Sequence, residues 1–401
     1  MIRFEEDKTA KYLAILIGIT ACTAHLAKAV SGIANGIVML LVILLWRKNK
    51  DKITVSDEAK GYIKAYGVFV ACVIPSVLFS ENPLFSLKGL INVWVWRFFV
   101  FIAIVAFIKR RDYLVNMFSA LMLVSGIDGM VTLAQVRFSL STAVRGWGFS
   151  SPVLVLAGIL CMLLPIAVVI LADTAFEKRL KQSAAFATVG ILIGLLCNKS
   201  RSAWLTELIV MPVVLFRYLR TNVKIVAVSL LVLAGILGFM AVTPVYHQRV
   251  ASITNTTTDR SNADRIWAWR SAEKMIKDHP VTGVGPEQFQ KHYVKKYKFK
   301  QERQGLVHTH NNFIHVTVES GVIGLAGLLY FIGYFLYTSI RNYRKQPNPY
   351  DLLIFTTVFG YLCLFGQIEY SLNNSSTVRI MWFLLAVLLK LKETERPQIP
   401  L

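Results

Sequence analysis

Charge is scarce in this sequence: Asp, Glu, Lys and Arg make up 17% of its 401 residues, against about 25% in ordinary soluble domains. Carboxylates are the scarcer kind, 23 against 44 basic residues. The five cysteines form no CxxC and no Cys/His ligand spacing, which argues against a disulfide frame and a zinc site. Cys22, Cys72, Cys161, Cys197 and Cys363 all lie in or beside apolar runs and read as small buried residues. Also missing is the repeated apolar and polar alternation of a membrane β-barrel. In its place stand runs of about twenty residues rich in Leu, Ile, Val, Ala and Phe. Hydrophobic residues reach 55% and the mean hydropathy is +0.53. Such runs cross a bilayer as helices, because lipid offers backbone groups no hydrogen-bond partner except one another.

Twelve segments are predicted as spans: 12–29, 31–46, 62–80, 91–108, 113–134, 152–172, 184–198, 202–219, 223–241, 312–339, 351–370 and 376–391. The first two are the weakest, with one broken helix as their alternative, and the seventh is short. The opening apolar run follows Glu5, Glu6 and Asp7 and is succeeded by more spans, which favours a retained helix over a cleaved signal peptide. The expected fold class is an all-α polytopic membrane protein of about twelve transmembrane helices. Its expected parts are an N-terminal bundle (1–241), a long loop with amphipathic helices (242–311), and C-terminal spans with a tail (312–401).

Basic residues set the orientation. With the N-terminus inside, the inner segments hold 24 of the 44 Lys and Arg residues; short outer turns and helix ends hold eight, and the long loop holds the other twelve. Both termini are therefore expected in the cytoplasm and the long loop outside. The overall charge of +21 is largely a topology signal, and nucleic acid is excluded as a partner on that outer face.

Two helices are predicted within the loop. NADRIWAWRSAEKMIKDHP has Ser261 or Asn262 as its cap, an apolar stripe of Ile266, Trp269, Ala272 and Ile276, and a stop at Pro280. PEQFQKHYVKKYKFK opens on Pro286, aligns Phe289, Tyr293 and Tyr297, and sets Lys291, Lys295, Lys296 and Lys298 opposite them. A basic amphipathic helix of this kind is expected on a membrane surface, with an anionic lipid-linked substrate as the alternative contact.

Four cations share the outer side without a topological excuse. Lys199 and Arg201, in CNKSRSAWL, read either as a snorkelling interfacial pair or as an anion clamp, since guanidinium bridges two phosphate oxygens and stays charged. Arg265 begins the first loop helix, and Arg145 lies in RGWGFSSPVL just before a span. Beyond them HTHNNFIHVTVESGVIGL places three histidines at the mouth of a span. His308 and His315 read as polar interface residues, and Glu319 as a helix-pairing partner for His315 or an arginine. The glycines Gly321, Gly324 and Gly327 read as sites of close packing.

That last stretch resembles the bacterial O-antigen ligases and the related Wzy-type polymerases. Their ligase signature is His, then Asn, Ser or Gln, nine residues, Gly, two residues, Gly. Here it reads His310, Asn311, residues 312–320, Gly321 and Gly324. NKSRSAWL, RGWGFSSPVL and DRIWAWRSAEKMIKDHPVTGVG, with its Pro-x-x-Gly-x-Gly ending, look like the wider family. The resemblance implies a GT-C-like bundle with a periplasmic helical cap in a bacterial inner membrane. It implies transfer of a polysaccharide from undecaprenyl diphosphate to a lipid A-core hydroxyl, among membrane lipids. In that chemistry His310 is the candidate base, Arg201 and Arg265 stabilise the leaving diphosphate, and Arg145, Lys199 and Asn311 contact substrate. No cofactor and no metal are expected, as no DxD-like pair occurs on this face. The rivals are an O-antigen polymerase, a protein oligosaccharyltransferase of the same superfamily and, in a different class, a flippase. A flippase would carry charges deep in several spans, where this chain holds few, such as Asp128.

Overall fold

A computed structural model describes residues 2–48, 53–139, 144–150, 152–256, 258–300 and 305–395, with side chains from Lys8 onward. Part of the basic cluster 47–52, the acidic side chains near the N-terminus, and the C-terminal tail past Glu395 lie outside the described residues.

All regular structure among the described residues is helical. Helices α1 (Ile2–Leu26) and α2 (Lys28–Lys48) are distinct and meet at Ala27. After α3 (Asp57–Leu78), α4 (Pro83–Leu90) passes through a widened turn and a tightened one into α5 (Phe99–Phe107), making one span. Next come α6 (Arg111–Arg137), α7 (Val153–Ala172), α8 (Lys178–Asn198), α9 (Arg201–Tyr218) and α10 (Val223–Val242). The long loop carries α11 (Pro244–Ala251), α12 (Arg260–Asp278) and α13 (Phe289–His292). The chain returns through α14 (Asn312–Lys345) and α15 (Pro349–Thr357), which continues as wider turns to Gln367, and ends on α16 (Ser375–Glu393).

Each of the twelve expected spans falls on one of these helical segments, and ten among the described residues are long and apolar enough to cross a membrane. The two outside that group, α9 and α16, carry more charge: Arg201, Glu207 and Arg217 in the first, Arg379, Lys390, Lys392 and Glu393 in the second. The protein is a polytopic α-helical membrane protein.

Asparagine starts many of these helices. Asn82, Asn222, Asn311, Asn348 and Asn374 each accept a first-turn amide of the helix that follows, removing donors that would otherwise be orphaned. Charge placed α16 outside the apolar group, yet it is one of the most enclosed helices. Its residues from Ser376 to Leu391 are all buried, and Trp382 packs against Tyr66 at 4.7 Å and Phe98 at 4.6 Å between ring centres.

The loop folds around its own small core. Ala268, Ala272 and Met275 of α12 pack with Phe289, Tyr293, Tyr297 and Val318. The aromatic stripe of the second predicted helix is thus buried against protein rather than spread on a membrane surface, while Lys291, Lys295 and Lys296 stay exposed. That helix also begins three residues later than Pro286, because Glu287 takes a positive φ of 59°. In α12 the cap is Asp259, not Ser261 or Asn262, and the buried face is rotated to Ala268, Ser271, Ala272 and Met275.

One contact locks the loop onto the bundle. Gly321 interrupts α14 with φ 63° and ψ −166°, a conformation open to glycine alone at low cost. Into the broken turn fits the 280–285 turn. Val284 N donates to Val318 O at 3.0 Å, Gly285 N to Glu319 O at 2.8 Å, and Val322 N to Pro280 O at 2.9 Å. A Cβ on Gly321 would overlap the carbonyl of Val281. The Pro-x-x-Gly-x-Gly ending and the first glycine of the histidine signature are therefore two halves of one joint.

Candidate active site

The loop end of the bundle gathers cations from four segments. Arg145 comes from the turn before α7, Arg201 from the first residue of α9, Arg249 from α11 and Arg265 from α12, and all four line one cavity of about 100 Å³. Three were expected from sequence and fall together here. Arg249 was not singled out, since nothing in PVYHQRVA distinguishes it from a surface residue.

The four guanidiniums are held differently. Arg201, 8% exposed, donates to Ser252 O (2.7 Å), Ser252 Oγ (2.8 Å), Asp259 Oδ1 (3.1 Å) and Asn262 Oδ1 (3.1 Å). It staples the start of α9 to the start of α12. Arg145 is fixed through Nε on Asn198 O (2.9 Å), and its Nη2 is buried with no partner among the described residues. Arg249 donates Nε to Lys199 O at 3.2 Å. Arg265 donates Nε to Ile368 O (3.1 Å) and Nη1 to Ser261 Oγ (2.7 Å). Lys199, at a left-handed φ of 54°, does not line the cavity and sends Nζ to Val144 O at 3.0 Å, beside Arg145.

Electrostatics show what the cavity lacks. Burial, followed by the charges of Arg249, Arg201 and Arg265, pulls the Arg145 guanidinium down to about 10. Burial and the Arg201 charge likewise lower Arg249 and Arg265, though Glu369 opposes the latter shift. Asp259 is the carboxylate that pairs directly with one of the four. A pocket whose cations depress one another is one that an entering polyanion relieves.

The histidines lie alongside. His310, at φ 53°, sets Nδ1 3.0 Å from Glu369 Oε2, and Ile368, the neighbour of that carboxylate, is the residue Arg265 holds. Glu369 was not anticipated; its only sequence signal is a carboxylate at the very end of the predicted span 351–370, in QIEYSLNN. Burial pushes its carboxyl up, but the hydrogen bond and charge of His310, with His308 and Arg265, outweigh that and leave it below the ordinary value. His308 Nε2 lies 3.7 Å from Glu369 Oε1, and burial drives His308 down to about 3. His315 pairs with Glu319 at 3.2 Å, and its ring stacks near Tyr370, away from the cavity.

Asn311 is placed as a helix cap. Its Oδ1 accepts from Phe313 N (2.9 Å) and Ile314 N (3.0 Å), and its Nδ2 donates to Gln367 O (3.0 Å) and Gln367 Oε1 (3.1 Å). All its polar capacity is engaged within the protein. Asn311→Ala is expected to cost about 1–2 kcal/mol, read as a lowered melting temperature in detergent, with Asn311→Asp recovering the capping share.

His308, His310 and Glu369 also hold ligand atoms within 4.8 Å of one another, so their donor set fits a divalent cation. The adjoining guanidinium charges oppose one there.

Residues 186–329, from α8 into α14, match the family described as O-antigen ligase. Over these residues the chain is similar to O-antigen ligases. An O-antigen ligase of Salmonella typhimurium is 27% identical, over 44% of this chain and 46% of that protein; the chain thus spans about half the length of the curated relative it matches. The O-antigen ligase match takes in Arg201, Arg249, Arg265 and His310, whereas Arg145 and Glu369 lie outside it.

Proposed function

We propose that this chain is an O-antigen ligase, a glycosyltransferase that moves a polysaccharide from undecaprenyl diphosphate to a hydroxyl of lipid A-core on the periplasmic face of the inner membrane. What carries the reading is the four-arginine cavity beside the His310–Glu369 pair, within and next to the family's matching region.

The chemistry follows from the parts. No ATP is at hand outside the cytoplasm, so the glycosyl diphosphate supplies its own driving force. Glu369 takes the Nδ1 proton of His310 in a hydrogen bond, which leaves Nε2 to accept the proton of the acceptor hydroxyl. As that oxygen attacks the anomeric carbon from the face opposite the diphosphate, the glycosyl C–O bond breaks. Negative charge gathers on the departing undecaprenyl diphosphate, where Arg145, Arg249 and Arg265 have guanidinium nitrogens to offer and Arg201 adds fixed charge. The anomeric centre inverts.

A reconstituted assay with lipid-linked polysaccharide and lipid A-core tests this, and absence of any transfer by the purified, folded protein would overturn it. Deleting the gene separates the nearest rival: free lipid-linked polymer beside uncapped lipopolysaccharide is expected of a ligase, single-repeat caps of a polymerase. The fit of His308, His310 and Glu369 to a cation gives a second reading, metal-assisted activation of the hydroxyl. In ours, excess chelator leaves the rate unchanged; loss restored by a divalent ion would favour the metal.

A further inference from the structure

Asp128, the carboxylate deep in α6, is not used by the reaction above, yet it is the centre of a buried network. Its Oδ2 lies 2.7 Å from His25 Nδ1 at the end of α1, and His25 Nε2 lies 3.0 Å from Ser125 Oγ. All three residues are buried: His25 is 2% exposed, the others not at all. The order Ser, His, Asp is that of a hydrolase triad, but Ser125 gives its one proton to Leu121 O at 2.8 Å. It therefore accepts from His25 Nε2 and is no nucleophile.

The other oxygen of Asp128 explains the network. Oδ1 accepts from Phe149 N at 2.7 Å, in the turn that carries Arg145. Gly148 has φ +58°, and a Cβ there would overlap that same oxygen. From two turns further along α6, Gln135 Oε1 accepts from Trp147 N and Gly148 N, both at 2.9 Å, while Nε2 donates to Gly148 O at 2.7 Å. His25 O also accepts from Ser150 Oγ at 3.2 Å. Backbone groups of residues 147–149 are thus bonded to side chains of α6.

We infer that the His25–Asp128 pair is a positioning element for the donor site: it fixes the 144–150 turn and so holds the Arg145 guanidinium at the wall of the arginine cavity. The inference rests on the reading of that cavity as the diphosphate site. Asp128 touches no substrate and acts through Arg145.

The test is a double-mutant cycle with a separate readout of the turn. Asp128→Ala is expected to lower kcat/KM for the lipid-linked donor about 10-fold, chiefly through KM, and to speed amide hydrogen exchange across 144–150. Asp128→Asn keeps an acceptor for Phe149 N and a donor for His25, and is expected to restore both. In an Arg145→Ala background Asp128→Ala should cost nothing further. If Asp128→Ala does not fold, Gln135→Ala, which releases the same turn from the solvent side, goes through the same cycle. Additive losses, or unchanged exchange and donor KM beside a damaging Arg145→Ala, would overturn the positioning role. A silent Arg145→Ala would instead fault the reading of the cavity and remove this inference with it, while leaving the exchange result to report on the turn alone.

Discussion

Replacing His310 by alanine is expected to slow transfer by 10²- to 10⁴-fold, about what a positioned proton acceptor contributes, with the melting temperature close to that of the parent. The side chain is partly exposed and its one hydrogen bond among the described residues is to Glu369, so its loss opens no cavity in the core. Glu369→Gln should give a smaller loss, because an amide still holds the ring but no longer favours charge on it as the proton arrives. The KM values for both substrates should move little in either variant, since the interaction is made during attack. A His310→Ala enzyme with parental turnover would remove the base assignment. Pairing its loss with a parental Glu369→Gln would leave the histidine but free it of its carboxylate.

The second large effect is expected at Arg265. Its exchange for alanine removes a cation that the proposed mechanism sets against the departing diphosphate, worth about 3 kcal/mol, or roughly 10²-fold in kcat. Inorganic pyrophosphate should inhibit the parent competitively against donor and bind the variant more weakly, with the difference shrinking as salt is raised. Arg265→Lys restores charge without the paired nitrogens that hold Ile368 O and Ser261 at once, and should recover only part of the rate. Equal inhibition of parent and variant by pyrophosphate would move the anion site elsewhere.

Most of the helical fold could be read from the sequence because lipid imposes a single rule on every span, and that rule is written in composition. Arg145, Arg201 and Arg265 were expected to share one side by the same bookkeeping, and the structure brings all three to one cavity. What stayed hidden depends on contacts between distant segments. Glu369 becomes informative only once α14 and the end of the eleventh span bring it to His310, 59 residues away in sequence. Arg249 is one basic residue among twelve in its loop until α11 folds it toward α9. Asn311 carried a legible sign, an Asn at the mouth of a helix, but the adjacent histidine drew attention to substrate instead. In the second loop helix the aromatic stripe was correct and its neighbour was not: period alone cannot say whether an apolar face meets lipid or Val318 and α12.

The broken turn at Gly321 bears on how substrates come and go. Prising the 280–285 segment away would strand two carbonyls and an amide, at about 1–3 kcal/mol apiece, with the Phe289 and Tyr293 rings uncovered as well. Under the proposed function, turnover then runs beneath a fixed roof rather than a swinging lid, and a polymer is expected to slide in from the flank, its reacting end located by walls already in place.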